Sequence, residues 1–436
     1  MKRAAVITFL FLLSRGAASA ADDDPNSSRA TAGPTFYKDI APIVHHHCTS
    51  CHRPGLVAPF SLLSYRDVQK RASLIARVTR ERYMPPWKAE PGHGQFLGER
   101  RLSAAELDLI QQWVRDGSKE GDVSDLPDLP QFVDGWQLGE PDLVVTMPQA
   151  YSVPADGPDI YRNFVMPVTI PEGKFIKAVE YRPSNRRVVH HAIMSTVTGT
   201  AKIIDPGDGV SARLNPLGQM LPGPMAIWAP GKDPLPLPDG FAMAWPKEAQ
   251  FILQLHLHPS GKPELEQSSI GFHFTSEPPR RQLHRASIVN FKVDIPPGEK
   301  AYRLTKSLEV PADVEVIGHF PHMHLLGREV KASAQLPDGT AEPLIWIRDW
   351  DFSWQSYYQF ATPVRLPKGS RIDVEWVFDN SADNPRNPSQ PPIRVTFGEQ
   401  TTNEMAALLL DFTRPEPAAV RTEATISNTS ITSVGE

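Results

Sequence analysis

Both cysteines of this 436-residue chain fall within five consecutive residues, Cys48-Thr49-Ser50-Cys51-His52. No other part of the chain can be stapled, so everything outside that segment must hold together by packing, without disulfides, zinc–thiolate sites or a cysteine nucleophile. The spacing C-x-x-C-H is the attachment signature of a c-type haem: two thiols form thioethers to the porphyrin and the adjacent imidazole binds iron. The competing reading is a thioredoxin-like dithiol, which sits at the end of a strand in a βαβ unit. Phe36, Ile40, Ile43 and Val44, just upstream, have helical spacing instead. Covalent haem c, held by Cys48, Cys51 and His52, is the expected cofactor.

The N-terminus agrees with that expectation. Lys2 and Arg3 precede the apolar run Ala4 to Leu13, and Ala18-Ser19-Ala20 offers a small-residue cleavage site. The run is too short to span a bilayer. Residues 1–20 therefore read as a secretory signal peptide and the mature protein as periplasmic or secreted, where bacteria attach haem c. Removing Lys2, Arg3 and Arg15 takes the formal net charge from −5 to −8, which argues against nucleic acid as a partner. No later segment is apolar enough to cross a membrane.

Residues 35–121 are helical in pattern. Ser103-Ala104-Ala105-Glu106 is a capping box opening a helix with the apolar stripe Leu107, Leu109, Ile110, Trp113 and Val114, closed by Gly117. With a helix before the cysteines and one over about Ser64 to Arg80, the segment resembles a small all-α cytochrome c domain. In that family the first and last helices pack together, which implies contact of Phe36 and Ile40 with Trp113. The resemblance also implies Met84, in Tyr83-Met84-Pro85-Pro86-Trp87, as the second axial ligand; the rivals are His93 and the run His45-His46-His47, which reads more simply as a solvated helix end. Residues 122–140, acidic and proline-punctuated, read as a semi-extended strap. Beyond them proline-rich turns separate short apolar runs, the grammar of all-β sandwiches. Two are expected, over 141–279 and 280–415 with a boundary at Glu277-Pro278-Pro279, followed by a flexible tail over 416–436.

Seven of the fourteen histidines lie in three short segments of the β region: His190-His191, His256-x-His258, and His319 with His322-x-His324. Alternation along a strand puts His322 and His324 on one face, and likewise Gln254, His256 and His258. Adjacent His190 and His191 face apart on a regular strand and meet one ion only at a strand end or a bulge. Three unrelated solvated groups are the bland reading. Imidazoles, a possible thioether and no thiolate favour copper over zinc or iron.

Val-Val-His-His, Leu-Gln-Leu-His, His-Met-His-Leu-Leu-Gly and Thr402-Asn403-Glu404-Met405 occur in this order. Together they resemble the copper-site motifs of the copper type II, ascorbate-dependent monooxygenases, the family of peptidylglycine α-hydroxylating and dopamine β-monooxygenases. The resemblance spans about residues 140 to 412. It implies two jelly-roll-like sandwiches, each carrying one copper across a wet cleft. His190, His191 and His256 would form the electron-transfer site, selecting His256 over His258; His322, His324 and Met405 would form the catalytic site where oxygen binds. His319 has no role in the family, leaving it a supporting or surface group. Amidating members hold a substrate carboxylate with an arginine and a tyrosine where this chain has Phe320 and Leu409, so a glycine-extended peptide is an unfit substrate and a neutral, apolar one is implied.

The combined expectation is an exported copper-dependent monooxygenase that hydroxylates a C–H bond of a small, non-peptide molecule with O2. Haem c would relay electrons to two coppers from a respiratory donor or an ascorbate-like reductant, entering through the His190/His191/His256 site. The alternative is a copper-binding electron-transfer or storage protein without hydroxylase activity, or a cytochrome that serves only for docking.

Overall fold

The computed structural model describes residues 33–415, except 55, 57, 134, 198–202, 205–212, 215–224, 230–233 and 399. The signal-peptide reading (1–20) and the tail (416–436) lie outside the described residues. No helix among the described residues is long and apolar enough to cross a membrane.

The expected layout, a small all-α cytochrome c-like domain followed by two jelly-roll-like sandwiches, is not the one that forms. The chain is mostly β, with 36% strand and 13% helix, its sheets set in a four-bladed, propeller-like arrangement. The first sheet orders the strands Leu143–Thr146, Ser269–Thr275 and Phe175–Arg182; the second orders Ile160–Met166, Gln250–Leu257, Val189–Val197 and Ala226–Trp228. Their inward faces share one core, with Phe164, Phe251, Leu253, Leu255 and Phe272 buried in it. The third sheet orders His284–Val289, Ala407–Thr413, Val314–His322 and Tyr358–Leu366; the fourth orders Tyr302–Glu309, Arg371–Phe378, Gly327–Gln335 and Ala341–Ile347. Trp376, Phe378, Leu344 and Leu408 lie in the core between these two.

Four short α-helices precede the sheets: Ala41–His47, Tyr65–Gln69, Ala72–Arg80 and Ala104–Arg115. The capping box at Ser103 forms with both reciprocal bonds in place, and the Phe36 and Trp113 rings pack at 6.1 Å between centroids. The helix expected over Ser64 to Arg80 is broken at Lys70 and Arg71. These helices bury a small core of their own, yet they do not close an all-α domain.

The reason lies in the chain between the third and fourth helices. Trp87 to Phe96 leaves the helices as an arm and is built into the second pair of sheets. Phe96, 6% exposed, packs on Phe360 and His319 at 5.1 and 5.4 Å, and Trp87 meets Tyr358 at 5.3 Å. Backbone bonds sew the arm down: Glu90 N–H to Trp346 O, Leu97 N–H to Gln359 O, and Ala361 N–H to Gln95 O. Gly94, at φ +97°, lets the arm approach closely; a Cβ there would come within 2.8 Å of Leu344 O. Large aromatic rings have more apolar surface to cover than four short helices supply, so they are buried against the sheets.

The segment 122–140 is pinned over its second half, between Phe132 and Leu138. The Arg53 guanidinium lies 4.0 Å over the Phe132 ring and that of Arg182 lies 4.9 Å over Trp136. The Glu180 carboxylate accepts from the backbone N–H groups of Gln137 and Leu138 at 2.7 and 3.1 Å. The strap is thus a fastening between the helices and the first sheet.

Phe96→Ala should therefore destabilise the β region by roughly 3–5 kcal/mol, the usual cost of deleting a buried phenyl ring. Denaturant unfolding followed through the β-region tryptophans checks this; an unchanged midpoint would show that the arm contributes nothing to that core.

Candidate metal centres

The strands Val189–Val197 and Gln250–Leu257 pair in antiparallel register, with His256 opposite His191 and Leu257 opposite Val189. His190 is therefore an extra residue, a β-bulge, and the local kink turns His190 and His191 toward the same partner. His190 Nδ1 and His256 Nδ1 each lie 3.3 Å from His191 Nδ1, and one ligand atom from each of the three fits within a 4.8 Å span. Burial holds His190 down to about 4 and His191 well below its ordinary value, the nearby histidines adding to both. His190 and His191 are thus neutral, the form that binds metal.

Asp159, one residue ahead of the strand Ile160–Met166, orients this group. Its carboxylate accepts from His256 Nε2 and from His258 Nδ1, each at 2.7 Å. Those bonds, with His256 first, pull Asp159 down to about 2. With Nε2 committed to Asp159, His256 presents Nδ1 to its neighbours, while His258 stands exposed on the far side of the carboxylate. Tyr161 stacks on the His256 ring at 4.3 Å, and its hydroxyl accepts from Thr401 Oγ1 across the boundary between the sheet pairs at 2.5 Å.

The second group sits at the end of the strand Val314–His322. His322 Nε2 and His324 Nε2 lie 3.2 Å apart. Their other nitrogens are occupied: His322 Nδ1 donates to Gln355 Oε1 at 2.7 Å, and His324 Nδ1 donates to Asn403 O at 3.1 Å. Burial, followed by the neighbouring His322, takes His324 down to about 3. The Glu404 carboxylate accepts from the backbone N–H groups of His324, Leu326 and Met405, which ties Met405 to the backbone carrying His324. Burial still pushes Glu404 up to about 8.

One ring separates the two groups. Phe352, 6% exposed, lies 6.0, 6.5 and 5.9 Å from His190, His191 and His256 and 5.7 Å from His324, centroid to centroid. The wet cleft expected between the sites is filled at this point by a phenyl group. The turn Phe352–Trp354 carries this ring and leads directly into Gln355, the partner of His322. His319 is neither a supporting nor a surface group. It is fully buried, with Nε2 on Leu344 O at 3.2 Å, and belongs to the packing around Phe96.

At the cysteine motif, Cys48 packs against the helical core and Cys51 lines a cavity of about 170 Å³. Burial pushes the Cys48 thiol up to about 12, the opposite of what a dithiol exchange site needs. His52 Nδ1 is taken by Phe60 O at 3.1 Å, which leaves Nε2 for iron. Two thiols one turn apart and an oriented imidazole fit covalent haem. Met84 lines a different cavity, with Thr79, Leu102 and Leu107, and so meets the helical core from another side. His45 is not solvated: it is buried, both of its ring nitrogens lacking partners among the described residues, and His47 pairs with Glu106 at 3.0 Å. His93 meets Trp346 of the fourth sheet edge-on, 4.9 Å between centroids.

No protein-family signature and no curated protein sequence matches the chain. Among solved structures, infectious bursal disease virus of the Gx strain aligns at 9% identity over 62% of this chain and 72% of its own, with a TM-score of 0.18. The VP2 subviral particle of the same virus aligns at 9% identity over 63% of this chain and 72% of its own, again at 0.18. Likeness this low carries no argument about fold or function.

Asp159→Asn should weaken metal binding at the His190/His191/His256 group by about 10- to 100-fold, the usual effect of removing a carboxylate that orients a ligating imidazole. Metal titration of Asp159→Asn and of His258→Ala tests the assignment. Loss with His258→Ala but not with His256→Ala would reverse it.

Proposed function

We propose that the chain is an exported haem- and copper-containing monooxygenase that hydroxylates a C–H bond of a small, non-peptide substrate with O2. The observation that carries this reading is the pair of imidazole groups, one converging through Nδ1 and the other through Nε2, on either side of Phe352. The order of motifs that resembles the copper type II monooxygenases assigns them separate duties. His190, His191 and His256 would hold the electron-transfer copper, and His322, His324 and Met405 the oxygen-binding one. Copper in these positions would supply oxygen activation, and haem c on Cys48, Cys51 and His52 would supply single electrons.

The protein's own contribution is positional. Asp159, Gln355 and the Asn403 carbonyl fix which nitrogen each imidazole offers. Glu404 clamps the backbone from His324 to Leu326 by two N–H bonds. Phe352 keeps bulk water from the line between the two groups. Phe320 and Leu409 face each other across paired strands, and Phe320 stacks beside His322, so the surface next to the oxygen-binding group is apolar. A respiratory donor or an ascorbate-like reductant would reload the haem.

Wild-type protein reconstituted with copper should bind two ions; His322→Ala should bind about one and lose oxygen-dependent turnover. In stopped-flow, reduced haem should reoxidise at a rate independent of protein concentration, since the donor is covalently part of the acceptor. A rate that rises linearly with concentration would end the relay role, and full copper loading without oxygen uptake on any substrate would leave a carrier.

A further inference from the structure

The segment 122–140 carries a surface that the proposed reaction does not use. From Gly121 to Glu140 the chain has five acids, Asp122, Asp125, Asp128, Asp134 and Glu140, and no base. Three of them recur at three-residue spacing, each followed by an apolar residue: Asp122-Val123, Asp125-Leu126 and Asp128-Leu129. Val123–Asp125 is a turn of 3-10 helix, and Leu126, at φ −65° and ψ 120°, opens an extended stretch that Pro127 and Pro130 hold. Both conformations repeat every three residues. The spacing therefore keeps Val123, Leu126 and Leu129 along one edge of the strap and their carboxylates along the next.

That edge faces water. Val123, Leu126 and Leu129 are 68%, 40% and 53% exposed, and Asp122, Asp125 and Asp128 are exposed beside them. Single exposed apolar side chains are ordinary. A run of them at one spacing, bordered by charge, has the make-up of an interface, with apolar contacts inside a polar rim. The next member of the series, Phe132, is covered by the Arg53 guanidinium at 4.0 Å. Asp128 and Phe132 border a groove that they share with His46, Thr49 and Ser50. Thr49 and Ser50 lie between the two haem cysteines, yet among the described residues neither cysteine nor His52 borders this groove. The stripe thus ends beside the haem attachment and outside the haem site. The pinning between Phe132 and Leu138 anchors it there.

We infer that this stripe is the docking site of a small, lysine-rich redox protein that delivers electrons to the haem. An apolar contact of the partner covers Val123, Leu126 and Leu129, and its lysines meet Asp122, Asp125 and Asp128. Charge selects this occupant. Five acids without a base repel an acidic partner and steer a basic one, and the whole chain, at a formal −5, is acidic as well. A narrow contact also suits a carrier that must leave after each delivery, since electron-transfer encounters have some of the smallest interfaces. One electron passes per encounter: the carrier's reduced centre is oxidised and the haem iron goes from ferric to ferrous, with no bond made or broken. The donor role of the partner rests on the proposed haem relay; the docking itself does not.

Stopped-flow reduction of the haem- and copper-loaded protein by a reduced, lysine-rich cytochrome c, and by the same cytochrome with its lysines acetylated, tests this. Acetylation keeps the size and haem of the probe and removes its charge. The second-order rate with the native probe should fall at least about ten-fold from low to high ionic strength, and the acetylated probe should be slow throughout. Asp125→Lys with Asp128→Lys should lower the native rate by at least about ten-fold. Leu126→Ser with Leu129→Ser should weaken docking and keep the salt dependence, while ascorbate should reduce the haem of every variant at the wild-type rate. Equal rates for the two probes at low salt, or no effect of the charge reversal, overturns the inference. Calorimetric titration with the zinc-substituted cytochrome, which docks without passing an electron, reads the surface independently of the haem. No binding to wild type, or equal binding to the charge-reversed variant, also overturns it. Docking of the zinc form with no haem reduction by the iron form overturns the donor role. Docking and electron entry as expected, with no oxygen uptake on any substrate, would count against the monooxygenase reading and leave the docking site standing.

Discussion

Around His191 three ring nitrogens converge in a way that protons alone satisfy poorly. His256 Nε2 is bound to Asp159, so Nδ1 is the nitrogen that its ring presents to His191. His191 Nδ1 stands 3.3 Å from that atom and from His190 Nδ1 at the same time. One nitrogen carries at most one proton, so His191 Nδ1 can serve both neighbours only by sharing a single proton between them, a weaker arrangement than two separate bonds. Protonating the group would relieve this, but burial opposes charge on both His190 and His191. A metal cation removes the conflict, because all three lone pairs then point at one positive centre. The bulge at His190 creates this situation, and Asp159 fixes which nitrogen His256 brings to it.

The same economy joins the two metal groups. The turn Phe352–Trp354 delivers a ring to the first group and, through Gln355, a hydrogen bond to the second. Tyr161 covers His256 from one pair of sheets while bonding Thr401 in the other. Displacement of either pair would disturb both groups, so their relative geometry is fixed by packing as well as by ligands. The arm carrying Trp87 and Phe96 and the strap pinned by Arg53, Arg182 and Glu180 extend that constraint to the cysteine motif.

The parts of this structure legible in the sequence are those governed by local rules. The capping box at Ser103, the β grammar after residue 141 and the need for a bulge at His190-His191 follow from spacing, while the Phe36–Trp113 contact was implied by the resemblance to cytochromes c. The choice of His256 came from a resemblance, and its physical basis is Asp159, 97 positions earlier. Nothing in the residues around Asp159 marks it, because its role is created by pairing between distant strands. Phe352 and Gln355 were hidden for the same reason. The all-α domain failed as an expectation because helical periodicity reports which face is apolar, not what covers it. For Trp87 and Phe96 the cover is a sheet far along the chain.

The cavity beside Cys51 also bears on where electrons enter. Met194, on its wall, belongs to the strand that carries His190 and His191; Phe320, on another wall, belongs to the strand that ends at His322. At about 3.3 Å per residue, those walls stand roughly 10 Å and 7 Å of strand from His191 and His322. Each of these cavity walls is thus joined to one histidine group along its own strand, over similar lengths. Strand length by itself favours neither group as the point where electrons would enter. If one group receives electrons first, the cause must be the relative reduction potentials of a three-imidazole site and a site with a thioether, which favours the reduced ion. Donor chemistry, with Met405 as its distinguishing member, would set the order in which the centres fill.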